Sequence, residues 1–145
     1  MAIVNQILKV KGADVCTVTP DMSIYDALQL MAEYNIGAVP VLSEGKLAGI
    51  FSERDFARQS VSREKLSITT PVEELMTKQV SCVHADQTVE GCMALMTDKH
   101  IRHLPVINEQ NELIGIVSIG DLVKSIMSQQ KFLIQQLEEY IVSSG

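Results

Sequence analysis

Apolar residues recur along this chain at two rhythms, and the alternation between them is written twice. Ile24, Ala27, Leu28 and Met31 keep the i, i+3, i+4, i+7 spacing of a helix with one buried face. Val89, Cys92, Met93 and Met96 keep the same spacing further on. A hydroxyl residue, Ser23 or Thr88, precedes each stripe and is placed to cap its first turn. The helices are expected to run out near Asn35-Ile36-Gly37 and Lys99-His100. Before them stand "VCTV" and "VSCV". After them come "AVPVL" and "LPVI", a polar turn containing Gly45 or Asn108 to Asn111, and "LAGIF" and "LIGIV". These short runs rich in β-branched residues predict strands, the later pair in each half forming a hairpin. A second helix is expected from Ser52 or Ser118, so the predicted unit is β-α-β-β-α, twice.

The repetition holds residue by residue. At an offset of 65, Val15 meets Val80, Val18 meets Val83, Leu30 meets Leu95, Ile36 meets Ile101 and Pro40 meets Pro105. One inserted residue at "NEQNE" makes the offset 66, and Gly49, Ile50, Ser52 and Asp55 then meet Gly115, Ile116, Ser118 and Asp121. Each half also opens alike, with "VNQIL" and "VEELM". The reading divides the chain into repeat 1 (1–59), a linker (60–70), repeat 2 (71–127) and a C-terminal helical extension (128–145). Thr70, Pro71 and Glu73 predict a new helix start, as cap, N1 and N3. A unit of this size buries too little surface to stand alone. Two copies packed sheet to sheet are expected to share one core.

Composition narrows the function classes. The 145 residues are 46% hydrophobic and carry a net charge of −6 with no basic block, which argues against nucleic acid or a membrane surface as partner. Three cysteines without C-x-x-C spacing argue for a reducing compartment. The first ten residues lack the charged leader of a secretory signal, and no apolar run approaches a membrane span. A cytoplasmic location is the expectation. Neither a G-x-x-x-x-G-K-[ST] loop nor a G-x-S-x-G elbow occurs, and His84, His100 and His103 lack zinc-site spacing. The expectation is a non-catalytic protein with no metal site and no catalytic cofactor.

The chemistry lies in the paired endings "GIFSERD" and "GIVSIGD". Ser-x-x-Asp after a strand is a sound helix start, with serine as cap and the acid at the positive helix end. The same geometry offers N–H groups to an anion and a carboxylate to a sugar diol. A glycine three residues before each serine admits a ligand or a neighbouring backbone. Capping and ligand binding are compatible readings.

These units, each ending in the motif after "VPVL" or "LPVI", resemble the cystathionine-β-synthase (CBS) domain family. Two in tandem resemble a stand-alone CBS pair, or Bateman module, from about Val4 to Ile126. The resemblance implies an α/β (α+β) fold of two repeats in pseudo-two-fold arrangement. It implies adenosine-containing ligands in two clefts between the repeats. Carried onto this sequence, it makes Asp55 and Asp121 the ribose acceptors, one per cleft, with Ser52 and Ser118 near ribose and phosphate. Arg102 and His103 fall where such modules place phosphate contacts, with surface pairing or capping as the alternative; Arg54 can also reach phosphate, with simple solvation at a helix start as its alternative. Gly37-Ala38 leaves room for adenine, with Cys16, Val18, Ile36, Ile50, Ile101 and Ile116 as candidates for its apolar slot. The implied ligand is AMP, ADP or ATP. NAD(H) or S-adenosylmethionine would satisfy the same ribose contacts, and a ligand-free adaptor is the competing class.

Past Asp121 the helical pattern continues through Leu122, Ile126, Leu133, Leu137 and Tyr140 or Ile141. A stripe this long needs a cover. Either its own module supplies one or a second copy does, and the resemblance favours a homodimer whose arrangement a ligand shifts and an unidentified regulated protein reads.

Overall fold

The computed structural model describes residues 2–12, 14–62 and 66–144. In chain order the elements are α1 (Val4–Lys11), α2 (Ile24–Tyr34), β1 (Ala38–Ser43), β2 (Lys46–Ser52) and α3 (Glu53–Ser62). A 3-10 turn (Val72–Glu74) follows, then α4 (Val89–Lys99), β3 (His103–Ile107), β4 (Leu113–Ser118) and α5 (Ile119–Ser144). The expected caps form: Ser23 Oγ accepts from the Asp26 N–H at 3.1 Å and Thr88 Oγ1 from the Gly91 N–H at 3.0 Å. Asn35 and His100 end α2 and α4 in the left-handed conformation, at φ 54° and 57°.

Both hairpins form, and their registers match. Ala38 pairs with Ser52 and Val41 with Gly49; His103 pairs with Ser118 and Val106 with Gly115. Each carries a bulge one pair further on, after Val41 and after Val106. The first strand expected in each repeat is reduced to one residue. Val18 bridges Val41 and Val83 bridges Val106, both in parallel. Pro20, without an N–H, stands just beyond Val18, and Val15 to Thr17 are half-buried beside a cleft instead of continuing the ladder.

The single shared core is replaced by two clusters that exchange segments. One joins Val18, Ile24, Ala27, Met31, Val39, Val41 and Phe51 of the first repeat to Val72 and Leu75 of the second. The other joins Val83, Val89, Cys92, Met96, Leu104, Val106, Val117 and Leu122 to Ala2, Val4 and Ile7 from the chain's start. Each repeat thus closes its core with the other's opening segment. Backbone bonds secure both: Val4 and Asn5 donate to Gln87 and Ala85, while Val72 and Glu73 donate to Met22 and Pro20.

The two motif glycines make this exchange possible. A Cβ on Gly49 would lie 2.7 Å from the Thr77 carbonyl oxygen and 2.7 Å from Met76 Sδ. On Gly115 it would lie 2.6 Å from Leu8 Cδ2. The neighbour that each glycine admits is the opening segment of the other repeat.

Two boundaries differ from expectation. α3 runs to Ser62, into the expected linker, whose residues 63–65 lie outside the described ones. Thr70 does not cap a helix: Pro71 precedes a three-residue 3-10 turn without a side-chain cap, and the Thr70 carbonyl accepts from the Ile24 N–H. α5 is continuous over 26 residues. Leu122 at its start is fully buried, but Phe132, Leu133, Leu137, Tyr140 and Ile141 are 55–70% exposed. The chain's own module therefore does not cover the far half of the stripe.

Candidate functional site

Both Ser-x-x-Asp motifs fold as reciprocal caps. Ser52 Oγ accepts from the Asp55 N–H at 3.0 Å, and Asp55 Oδ2 accepts from the Ser52 N–H at 3.1 Å. At the second motif the corresponding distances are 3.1 and 2.9 Å. The first N–H of each helix is also engaged, Glu53 donating to the Gly37 carbonyl and Ile119 to that of Arg102. Fewer free N–H groups are thereby left at the two helix ends for an anion.

The carboxylates differ in their remaining partners. Asp55 Oδ1 accepts from the Thr77 hydroxyl at 3.3 Å. Asp121 Oδ2 pairs with Lys11 Nζ at 2.8 Å, and the same ammonium donates to the Ile116 carbonyl at 2.9 Å. Burial pushes the Asp121 carboxyl up, but the hydrogen bonds from Lys11 and Ser118 outweigh it and hold it below the ordinary carboxylate range. Asp121 is therefore ionised at neutral pH.

Beside Lys11 and Ser118, the hydrogen-bond partners of Asp121, opens a cleft of about 790 Å³, within the range of small-molecule sites; Asp121 itself is not among the residues that line it. Of the residues singled out in the sequence, it gathers Cys16, Ile36, Gly37, Ala38, His103, Ile116 and Ser118. The first repeat supplies the apolar wall and the second supplies serine, histidine and isoleucine. His103 Cε1 lies 3.7 Å from where a Gly37 Cβ would stand, so a methyl group there would make ordinary van der Waals contact with the imidazole. Burial and then the charge of Lys11 push His103 down from the usual histidine value, against the pull of Asp121. Burial raises the Cys16 thiol, with Glu33 adding to it.

Other expected site residues lie elsewhere. Val18, 2% exposed, belongs to the core and offers no wall to this cleft. Ser52, Arg54 and Asp55 cluster at the start of α3, where Arg54 Nη1 donates to the His100 carbonyl at 3.2 Å. Ile50, Ile101 and the exposed Arg102 also lie outside the lining of the cleft. Sequence reasoning missed Lys11, Asp14, Leu30 and Tyr34 in the lining. Only Lys11 carried a usable signal, as a cation ending the segment that opens the first repeat. Among the described residues, no group of three or more His, Cys, Asp or Glu side chains is placed to hold a metal ion, and no helix is long and apolar enough to cross a membrane.

Comparison with known proteins fits this duplicated geometry. The model of the CBS domain family matches the chain twice, over residues 10–62 and 72–128. The chain belongs to the CBS domain family. Its two CBS domains form a tandem pair of mixed α/β architecture with a long C-terminal helix. The CBS pair is 38% identical over 128 residues to the CBS domain-containing protein CBSX3, mitochondrial, of Arabidopsis thaliana, covering 85% of this chain but 62% of that one. It therefore spans less than two thirds of that relative. A putative signal-transduction protein with CBS domains from Burkholderia ambifaria superposes with a TM-score of 0.83 at 48% identity, over 89% of this chain and 96% of that one. The CBS domain pair of protein MJ0100, solved with 5′-methylthioadenosine and S-adenosyl-L-methionine, gives 0.76 at 28%, covering 86% and 99% of the two chains. CBSX2, solved in complex with AMP, gives 0.68 at 26%, covering 80% and 90%.

Proposed function

We propose that this CBS pair is a non-catalytic regulatory sensor of adenosine nucleotides, with the Asp121 cleft as its principal site. One observation carries the reading. The cleft holds an apolar slot of Cys16, Ile36, Ala38 and Ile116 next to Ser118 and Lys11, both bonded to the ionised Asp121, whose carboxylate is the proposed acceptor of both ribose hydroxyls. The adenosine ligands of MJ0100 and CBSX2 support the ligand class. His103 and Arg102 are assigned to the phosphate, as charge-assisted donors. Asp55 with Ser52, Arg54, Ile50 and Ile101 is the pseudo-symmetric second site. The motif's capping role is retained in this reading, because only one carboxylate oxygen of Asp121 is engaged among the described residues.

Output requires a second state that the ligand favours, since a ligand shifts an equilibrium only by its differential affinity. The exposed face of α5 points to a homodimer: covering each large apolar side chain contributes about 1.5–3 kcal/mol, and at least five wait to be covered. The ligand would alter how two copies pack, and an unidentified partner protein would read the change. A thermal-shift panel of AMP, ADP, ATP, NAD(H) and S-adenosylmethionine tests the proposal. A true ligand at 100 times its dissociation constant stabilises by about 2.7 kcal/mol. A flat response to the whole panel would leave a dimeric adaptor as the function.

A further inference from the structure

Pseudo-symmetry exposes a difference between the two aspartates that the repeated motif conceals. Next to Asp55 stands Thr77, whose backbone exchanges hydrogen bonds with Ile50 at 2.9 and 3.0 Å while its hydroxyl reaches the carboxylate. Ile116 is the counterpart of Ile50 in the second repeat. There both tasks fall to one atom, because Lys11 Nζ donates to the Ile116 carbonyl and to Asp121. A neutral group pinned by its backbone in one repeat is replaced in the other by a mobile cation on a four-carbon stem.

We propose that Lys11 makes the Asp121 cleft selective for phosphorylated adenosine compounds over uncharged ones. The inference rests on the reading of that cleft as an adenosine site. A ribose diol that claims both oxygens of Asp121 takes the counter-charge away from Lys11. The ion pair is part-exposed, at 39% and 22%, so a ligand can displace it at a cost of about fivefold in affinity at most. The freed ammonium still lines the cleft. His103 shares the cleft with it, as does Asp14, the one acid among the lining residues, while Arg102 and Glu53 add charges of opposite sign near His103. A ligand phosphate gives the ammonium a new partner inside the cleft, whereas a nucleoside leaves it to water. Lys11 thus charges every ligand the same displacement cost and returns a contact only to anions. It is a specificity residue that its repeat-related position lacks.

The test is calorimetric titration of AMP and adenosine into the full chain carrying Lys11→Met or Lys11→Arg. Lys11 is exposed at the end of α1, so both variants keep the core intact. Wild type should prefer AMP over adenosine by about tenfold or more. Lys11→Met should cut that preference at least about fivefold, with adenosine affinity unchanged or improved, and Lys11→Arg should keep it within about twofold. Equal losses for both ligands in Lys11→Met, or an unchanged preference, would overturn the role of Lys11 while leaving the adenosine site standing. Absence of binding by either ligand to the wild type would instead remove the site itself and this inference with it.

Discussion

Replacing each motif glycine by alanine tests the exchange of opening segments, and the two substitutions should not behave alike. At Gly49 the new methyl would meet the Thr77 carbonyl oxygen at 2.7 Å, and that oxygen is fixed because it accepts from the Ile50 N–H at 3.0 Å. Met76 Sδ, also at 2.7 Å, can rotate away, but the carbonyl cannot without breaking the bridge. At Gly115 all three near atoms belong to the Leu8 side chain, at 2.6, 3.2 and 3.4 Å, and a rotamer change relieves them. Overpacking against backbone costs about 1–3 kcal/mol. Alanine for glycine at a compatible backbone returns about 0.4–1 kcal/mol by restricting the unfolded chain. Gly49→Ala should therefore lose about 2 kcal/mol and Gly115→Ala less than about 1 kcal/mol. Urea unfolding measures the difference directly, and thermal unfolding should separate the variants by several degrees, at about 3 °C per kcal/mol. Equal losses, or a larger loss at Gly115, would mean that the opening segments do not sit over these glycines as described.

Other consequences are quickly checked. Ending the chain at Gln130 should convert a dimer to a monomer in sedimentation at micromolar concentration, since the exposed apolar face of α5 lies mostly beyond it. A dimer that survives the truncation places the interface elsewhere. His103 is held below its unfolded value of 6.5, so below that pH the unfolded chain binds more protons than the folded one. Stability should fall as pH drops from 7 to 5.5, and His103→Gln should flatten that fall in the urea midpoint. A bound phosphate raises the same pKa, so AMP binding near pH 6.5 should take up protons in calorimetry with two buffers of unequal ionisation enthalpy. Zero uptake would separate His103 from the phosphate.

Local chemistry made much of this fold legible. Ser23 and Thr88 sit one residue before a 3.6-period stripe, and the structure uses both as caps. The hairpins follow from β-branched runs split by turn residues, and the matched bulges after Val41 and Val106 keep the repeats in step. Nothing local says which core an opening segment will enter. "VNQIL" and "VEELM" carry the same apolar pattern, so Val4 and Val72 could each have packed at home; only long-range geometry sends each to the other repeat. The one-residue strands fail for a related reason. "VCTV" has β propensity, but Cys16 and Thr17 line the cleft and leave Val18 alone in the ladder. In the candidate site, the motif serines and aspartates were visible because they repeat, while Lys11, without a repeat-related twin, offered only the weaker signal of a cation ending an opening segment.

The proposed sensing function requires Asp121 to accept the ribose of an adenosine nucleotide. Calorimetry of AMP against 2′-deoxy-AMP, in wild type and in Asp121→Asn, tests that contact alone, because asparagine keeps an acceptor for the Ser118 N–H. Losing a hydrogen bond to a charged group costs about 1.5–3 kcal/mol, so wild type should prefer the ribonucleotide by roughly tenfold or more. In Asp121→Asn the preference should shrink to about twofold. An equal preference in both proteins would show that the sugar is read by some other group, and the Asp121 cleft would lose its assignment.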